Sequence, residues 1–303
     1  MKSKVIVILG ATSTGKSDLA VQLAKNIFKN KAEVISADSR QVYIWLDLGT
    51  GKITKKEMRG VTHHLLDVVN PKKTFTVTEY KKLADKKVKD VLSHGKMPII
   101  AGGTGFYIDA VVNNIIFPEV PPNKKIRETL NKKSALKLFQ ILEKLDKTRA
   151  KDIKDKNEIN NKVRLIRAIE IAKFLGKVPK ITEGNPVYDF IKIGLYLDDE
   201  NLKEKIRTRL LDRVKKGMLR EATNLHNKGI SWKRMKELGL EYRYMALHLE
   251  GKITKTEMID QLANEINHYA RRQKTWFKRD PEIKWFKPEE SKKIEKYLKE
   301  KLN

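Results

Sequence analysis

Val5 to Leu9 is an unbroken apolar run rich in β-branched residues. That pattern predicts a strand buried on both faces of a parallel sheet. Small residues fill Gly10 to Gly15. From Ser17 to about Phe28, Leu19, Leu23 and Ile27 recur at i, i+4 and i+8, which predicts a helix with one apolar face. Glu33 to Ala37 reads as a second strand, residues 78 to 93 as a helix carrying Leu83, Val88 and Leu92, and Met97 to Ala101 as a third strand that ends at Gly102 and Gly103. Strands alternating with helices predict an α/β fold, a doubly wound parallel sheet with its ligands beyond the C-terminal strand ends.

Pro118, Pro121 and Pro122 break this rhythm. Residues 124 to 177 are lysine-rich, helical in pattern and without strand signals. They predict a mostly helical insertion over 118–177, between core segments 1–117 and 178–303. Ile191 to Leu197 returns to strand-like alternation, and the chain beyond Asn201 is helical and basic. There, Leu202, Ile206, Leu210, Val214 and Met218 form a stripe at i+4 steps. Thr254 and Glu257 have capping-box spacing. The helix they open carries Met258, Leu262, Ile266 and Tyr269 as its apolar face, which makes Trp276 and Phe277 core residues. In the tail, Ile294, Tyr297 and Leu298 have helical spacing.

The 303 residues include 65 Lys+Arg against 38 Asp+Glu, a formal charge of +27, while 40% are hydrophobic. Such an excess implies a polyanionic partner, unless it reflects base composition alone. Cysteine is absent, which excludes disulfides, Cys-ligated zinc, iron–sulfur clusters and thiol nucleophiles. No run approaches the roughly 18 apolar residues of a membrane span, and the start has no signal-peptide pattern. A cytoplasmic protein without membrane attachment is expected.

Gly10-Ala11-Thr12-Ser13-Thr14-Gly15-Lys16-Ser17 fits G-x-x-x-x-G-K-[ST] in full, between a strand and a helix. Glycines let successive N–H groups face one phosphate. The helix adds its positive end, Lys16 adds a full charge, and Ser17 can ligate Mg²⁺. The fold expected is therefore like that of P-loop NTPases. The loop alone would also suit ATP. Hydrolytic enzymes of this class usually carry a strand ending in Asp to hold Mg²⁺ and position water. Here the strand at Pro98 to Ala101 runs into Gly102-Gly103-Thr104-Gly105 instead, and the second strand ends at Asp38. That layout suits an acceptor substrate activated by Asp38. A helix N-cap is the other reading of Asp38.

Asp38-Ser39-Arg40-Gln41-Val42-Tyr43 resembles the D-S-x-Q-V-Y signature of tRNA dimethylallyltransferases. In the family's order follow Leu46-Asp47-Leu48-Gly49-Thr50, His63-His64-Leu65-Leu66-Asp67, Gly102-Gly103-Thr104-Gly105-Phe106-Tyr107, Arg164-Leu165-Ile166-Arg167-Ala168-Ile169-Glu170 and Ala270-Arg271-Arg272-Gln273-Lys274-Thr275-Trp276-Phe277. The resemblance spans about residues 4 to 280. Ala11 stands where the family usually has Pro, and Gly239-Leu240-Glu241-Tyr242 replaces its commoner G-Y-[KR]-E. With no zinc-finger extension before Asn303, the bacterial type is the closer match.

The resemblance implies transfer of a dimethylallyl group from dimethylallyl diphosphate to the exocyclic amine of the adenosine immediately 3′ of the anticodon in tRNA. It implies Asp38 as general base, Thr104 as a partner of Asp38 or the adenine, and Arg209, from Lys205-Ile206-Arg207-Thr208-Arg209, as an aid to the leaving diphosphate. The N–H groups of residues 12 to 17, Lys16 and Mg²⁺ would neutralise that diphosphate. Thr104 could equally be plain turn structure. Lys205 and Arg213 read as a solvated basic face, and His63 and His64 as structural or pocket-lining. The tRNA contacts it implies are Asp38, Ser39, Arg40, Gln41, Thr104, Arg127, Val163, Arg164, Arg167, Arg271, Arg272 and Lys274, around a base extruded from the anticodon loop. A monomer is expected. The competing readings are prenylation of free adenine nucleotides, a small-molecule kinase, and an RNA-binding protein without turnover.

Overall fold

The computed structural model describes residues 2–302, which divide into two compact units: residues 2–114 with 185–302, and Ile115–Gly184. The first unit opens with β1 (Lys4–Gly10), α1 (Lys16–Asn26), β2 (Ala32–Ala37), α2 (Lys55–Met58), β3 (His63–His64), α3 (Val77–Ser93), β4 (Met97–Gly102) and α4 (Gly105–Val112). The second unit holds β5 (Ile115–Ile116), α5 (Lys124–Asn131), α6 (Ala135–Leu145), α7 (Lys147–Asp155), α8 (Lys162–Leu175) and β6 (Thr182–Glu183). The chain then returns through β7 (Asp189–Leu195), α9 (Asp199–Lys215), α10 (Met218–Asn227), α11 (Trp232–Leu238), α12 (Leu240–Leu249), α13 (Lys255–Phe277), β8 (Lys284–Phe286) and α14 (Ser291–Leu302).

Six strands form one sheet in the order β3-β2-β4-β1-β7-β8, every pair parallel. The apolar run of β1 alternates across it. Ile6 and Ile8 pack with Leu19, Leu23, Ile294 and Leu298, so α1 and α14 cover one face. Val5, Val7 and Leu9 pack with Tyr80, Ala84, Val88 and Ile108, so α3 and α4 cover the other. Burial on both faces is why Val5 to Leu9 includes no polar residue, and each such side chain contributes roughly 1.5–3 kcal/mol. A third cluster joins Val42, Tyr43 and Leu46 to the apolar faces of α9 to α13. No helix among the described residues is long and apolar enough to cross a membrane.

Several expectations need correction. The stripe on α9 ends before Met218: the helix stops at Lys215, Gly217 takes φ 99°, and Met218 opens α10. The inserted unit begins and ends with a short antiparallel pair, β5 and β6, so its boundaries fall at 115 and 184 and not at 118 and 177. Nor is the chain after Asn201 wholly helical. Lys284-Trp285-Phe286 forms β8 beside β7, where Gly194 leaves room for the Trp285 ring, and a Cβ there would lie 2.5 Å from it.

The second unit has its own core, built from Leu130, Leu138, Phe139, Leu142, Ile153, Leu165 and Ile169. Glu170, 2% exposed, accepts from Arg127 Nε at 2.9 Å, Arg127 Nη2 at 2.8 Å, Arg167 Nη1 at 2.5 Å and the Asn123 N–H at 2.6 Å. Burial alone would raise its pKa. The two guanidinium groups and the amide outweigh that and hold it at about 2.

Candidate active site

The loops after β1, β2 and β4 lie side by side because those three strands are parallel neighbours, with Leu9 and Ala37 both in register with Gly102. The loop after β1 is the phosphate-loop motif. Gly10 (φ 143°) is required there: a Cβ would lie 2.3 Å from the Leu195 carbonyl. Ser13 (φ 63°) and Gly15 (φ 87°) take left-handed conformations, which turn successive N–H groups toward one point. None of the N–H groups of residues 13–18 donates to another described residue. The helices α3 and α13 are closed by capping boxes, Thr76 with Glu79 and Thr254 with Glu257, whereas α1 has no side-chain cap. Its first turn is left open to an anion.

Thr12 differs from its neighbours. Its N–H donates to Gln273 Oε1 at 2.8 Å, so the open cradle begins at Ser13. Thr14, fully buried, donates its hydroxyl to the Ala11 carbonyl at 2.9 Å, and Lys16 Nζ reaches the same oxygen at 2.5 Å. Turned inward, the Lys16 ammonium loses solvation, and this pushes its pKa down to about 8. Asp38 acts in the opposite sense, and Arg209 in the same sense as burial. Ser17 lies exposed on the first turn of α1.

Asp38 follows β2 directly. Its Oδ1 accepts the N–H of Arg40 at 2.8 Å and of Gln41 at 3.2 Å. This is a side-chain turn cap, but no helix follows. Oδ2 takes no hydrogen bond among the described residues. The turn 103–105 stands beside it. Thr104 donates its N–H to the Ala37 carbonyl at 3.1 Å, and its Oγ1 accepts the Ser39 N–H at 3.0 Å. Tyr269, expected only as part of an apolar face, stands beside Thr104. Its phenol is pushed up to about 12, chiefly by burial and then by the Asp38 charge.

Arg209 reaches the same edge from α9, its Nη2 donating to the Gly51 carbonyl at 3.1 Å. Gln41 Nε2 approaches that carbonyl at 3.5 Å. Arg213 is not the solvated residue the sequence suggests. It is 9% exposed and donates to the Gly49 carbonyl at 2.8 Å, with Glu241 at 3.3 Å. Lys205 does face solvent. His63 and His64 form β3, His64 Nε2 lying 2.6 Å from Glu33. No group of three or more His, Asp or Glu side chains among the described residues could hold a metal.

Among the other sequence candidates, Arg271 and Arg272 are exposed on α13, Arg272 lying over the Tyr269 ring at 5.8 Å, and Lys274 pairs with Asp199 at 2.9 Å. Arg127, Val163, Arg164 and Arg167 belong to the second unit. Val163 is 80% exposed, Arg164 pairs with Glu158, and Arg127 and Arg167 are both engaged by Glu170. Sequence reasoning missed the roles of Gln273 and Tyr269. It also missed Glu221, which accepts the N–H groups of Asp47 at 3.1 Å, Leu48 at 2.7 Å and Gly49 at 2.9 Å.

The family model described as IPP transferase matches residues 41–280. A tRNA dimethylallyltransferase 2 of Treponema denticola is 41% identical, over 92% of this chain and 92% of its own. A tRNA dimethylallyltransferase of a Thermoanaerobacter species is 37% identical over 100% of both chains. Among solved structures, the full-length tRNA isopentenylpyrophosphate transferase of Bacillus halodurans superposes with a TM-score of 0.74 at 33% identity, covering 99% of this chain and 97% of that one. A eukaryotic dimethylallyltransferase acting on tRNA superposes with a TM-score of 0.72 at 26% identity, covering 90% of this chain and 69% of that one.

Proposed function

This chain belongs to the tRNA dimethylallyltransferase (IPP transferase) family, and we propose that it transfers a dimethylallyl group from dimethylallyl diphosphate to N6 of the adenosine immediately 3′ of the anticodon in tRNA. The observation that carries this reading is the placement of an open phosphate cradle beside a carboxylate with one uncommitted oxygen, on adjacent strand ends of one sheet.

The C1–O bond to the diphosphate breaks as the N6–C1 bond forms. The N–H groups of residues 13 to 17 and Lys16 receive the negative charge that develops on the leaving diphosphate, and Arg209 borders the same edge. N6 is a poor nucleophile, because its lone pair is delocalised into the adenine ring. Asp38 takes its proton through Oδ2 while Oδ1 stays held by Arg40 and Gln41. Thr104 and Tyr269 line the acceptor side, with Ser39 and Gln41 typed to hydrogen-bond a purine edge. Ser17, exposed on the first turn of α1, is the protein hydroxyl that would hold an Mg²⁺ brought in with the diphosphate. Such an ion would supply further neutralisation of the leaving group.

Arg271, Arg272 and Lys274 are proposed contacts to the anticodon stem. Arg127, Val163, Arg164 and Arg167 are proposed as tRNA contacts of the second unit, with only the donors that Glu170 and Glu158 leave over. A monomer acting in the cytoplasm completes the reading. The test incubates the protein with Mg²⁺, radiolabelled dimethylallyl diphosphate and unmodified tRNA, with AMP and ATP in parallel. Label should enter tRNA at the base 3′ of the anticodon, and Asp38→Ala should lose most of that turnover while still binding tRNA. Label confined to AMP or ATP would replace the reading with prenylation of free nucleotides. Binding of tRNA without label would leave an RNA-binding protein.

A further inference from the structure

Gln273 is 5% exposed, on a helix remote in sequence from both glycine loops, yet its amide joins them. Oε1 accepts the Thr12 N–H at 2.8 Å, and Nε2 donates to the Gly103 carbonyl at 2.7 Å. The orientation is fixed by its partners. Thr12 offers only a donor and Gly103 only an acceptor, so a flipped amide would set like against like at both ends. Position 103 carries no Cβ, and one placed there would lie 2.3 Å from Nε2. Four residues earlier on α13, Tyr269 meets Thr104. Three residues later, Trp276 Nε1 donates to Asp109 at 2.9 Å, and its ring lies where a Cβ on Gly105 would be, 2.3 Å away. Positions i, i+4 and i+7 share one helix face, so a single face of α13 grips the whole turn 103–105 and one amide of the phosphate loop.

We infer that Gln273 is a positioning residue that sets the distance between the diphosphate cradle and the acceptor side of the site. The inference rests on the transfer reaction proposed above. Alkyl transfer needs the leaving group, the carbon and the nucleophile aligned within about 3–3.5 Å contacts, and small misplacements of well-bound groups cost rate and not affinity. The cradle follows β1 and the Thr104 turn follows β4. Above the strand ends, the Gln273 amide bonds to both. Its loss should leave each half able to bind and the two halves out of register.

The test measures three quantities for the full chain and its variants: the single-turnover transfer rate with both substrates saturating, the dissociation constant of inorganic pyrophosphate, and that of an unmodified anticodon stem–loop RNA. Gln273→Met keeps volume and removes both hydrogen bonds. Its transfer rate should fall about 10- to 100-fold, while both dissociation constants change less than about threefold. Gln273→Glu keeps the acceptor for Thr12 and loses the donor to Gly103. Its rate relative to the unsubstituted chain should climb as pH falls from 8 toward 5.5, because a protonated carboxyl again donates to the Gly103 carbonyl. If Gln273→Met unfolds, the isosteric Gln273→Glu decides. Unchanged rates in both, a flat pH ratio for Gln273→Glu, or losses of binding that match the losses of rate would each overturn the inference. Failure of the unsubstituted chain to transfer label, with both ligands bound, would instead overturn the proposed reaction.

Discussion

Lys16 shows how one residue can report on the site without any substrate turnover. Its ammonium is enclosed against the Ala11 carbonyl, and burial brings its pKa down to about 8. Below that value the group is protonated and attracts a diphosphate. As pH rises through about 8 the charge is lost, so affinity for an anion in the cradle should weaken. Between pH 7 and 9 the loss of protonated form amounts to about tenfold. Pyrophosphate gains charge over the same window, which works the other way, so the informative quantity is a ratio. Lys16→Arg remains charged throughout. Pyrophosphate titrations of both proteins from pH 6.5 to 9.5 should therefore show the affinity ratio of wild type to Lys16→Arg falling with a midpoint near 8 or above, since bound phosphate itself favours the charged lysine. A ratio independent of pH would mean that the ammonium is not the group facing the anion.

At the scale of elements, the loop 46–51 is anchored by two helices, α9 and α10. Glu221 on α10 receives three consecutive backbone N–H groups and the Tyr242 hydroxyl, the last at 2.6 Å. Arg213 on α9 holds the Gly49 carbonyl, and the same loop presents the Gly51 carbonyl to Arg209. Glu221→Gln keeps the shape and leaves one acceptor oxygen where there were two. Hydrogen bonds to a charged group are worth about 1.5–3 kcal/mol, so a loss of that order is expected in urea unfolding, with a partial loss of turnover as the Arg209 partner shifts. Tyr242→Phe removes one of the four bonds and should cost less. An unchanged urea midpoint for Glu221→Gln would show that the loop is held without the Glu221 charge, by Arg213, its own turn bonds and packing. These anchors also explain what the sequence could reveal. The runs of β1, β2 and β4 were legible because burial on both faces leaves an apolar signature, and β7 through its alternation; the phosphate loop and Asp38 stood out because their chemistry demands particular residue types. The two- and three-residue strands β3, β5, β6 and β8 are too short to show a period. Gln273 and Glu221 bind backbone groups, and a backbone partner can be any residue, so no pairing of types marks them. Arg213 was misread for the same reason, since its partners are chiefly carbonyls.

For the whole molecule, the charge of +27 does not say where RNA binds, because many basic side chains are already committed. Lys274 is paired with Asp199, Arg164 with Glu158, and Arg127 and Arg167 with Glu170. A cation held by a carboxylate of the same chain contributes less to a phosphate contact, since the resident partner must first be displaced. Arg271 and Arg272 are exposed on the same helix that carries Tyr269 and Gln273 into the site, and neither forms an ion pair with a described carboxylate. They should therefore carry a larger share of backbone neutralisation near the reacting base than their number suggests. Each phosphate neutralised releases counterions, and log K falls with log salt by about 0.7–0.9 per contact. Exchanging both for alanine should flatten the salt dependence of tRNA binding by about 1.5 in slope, with pyrophosphate affinity unchanged. Lys274→Ala should flatten it less. Filter-binding isotherms from 50 to 300 mM salt measure both slopes. If the double variant keeps the full slope, the stem runs over another face of the molecule, and the exposed end of α13 serves the site from within, through Gln273 and Tyr269 alone.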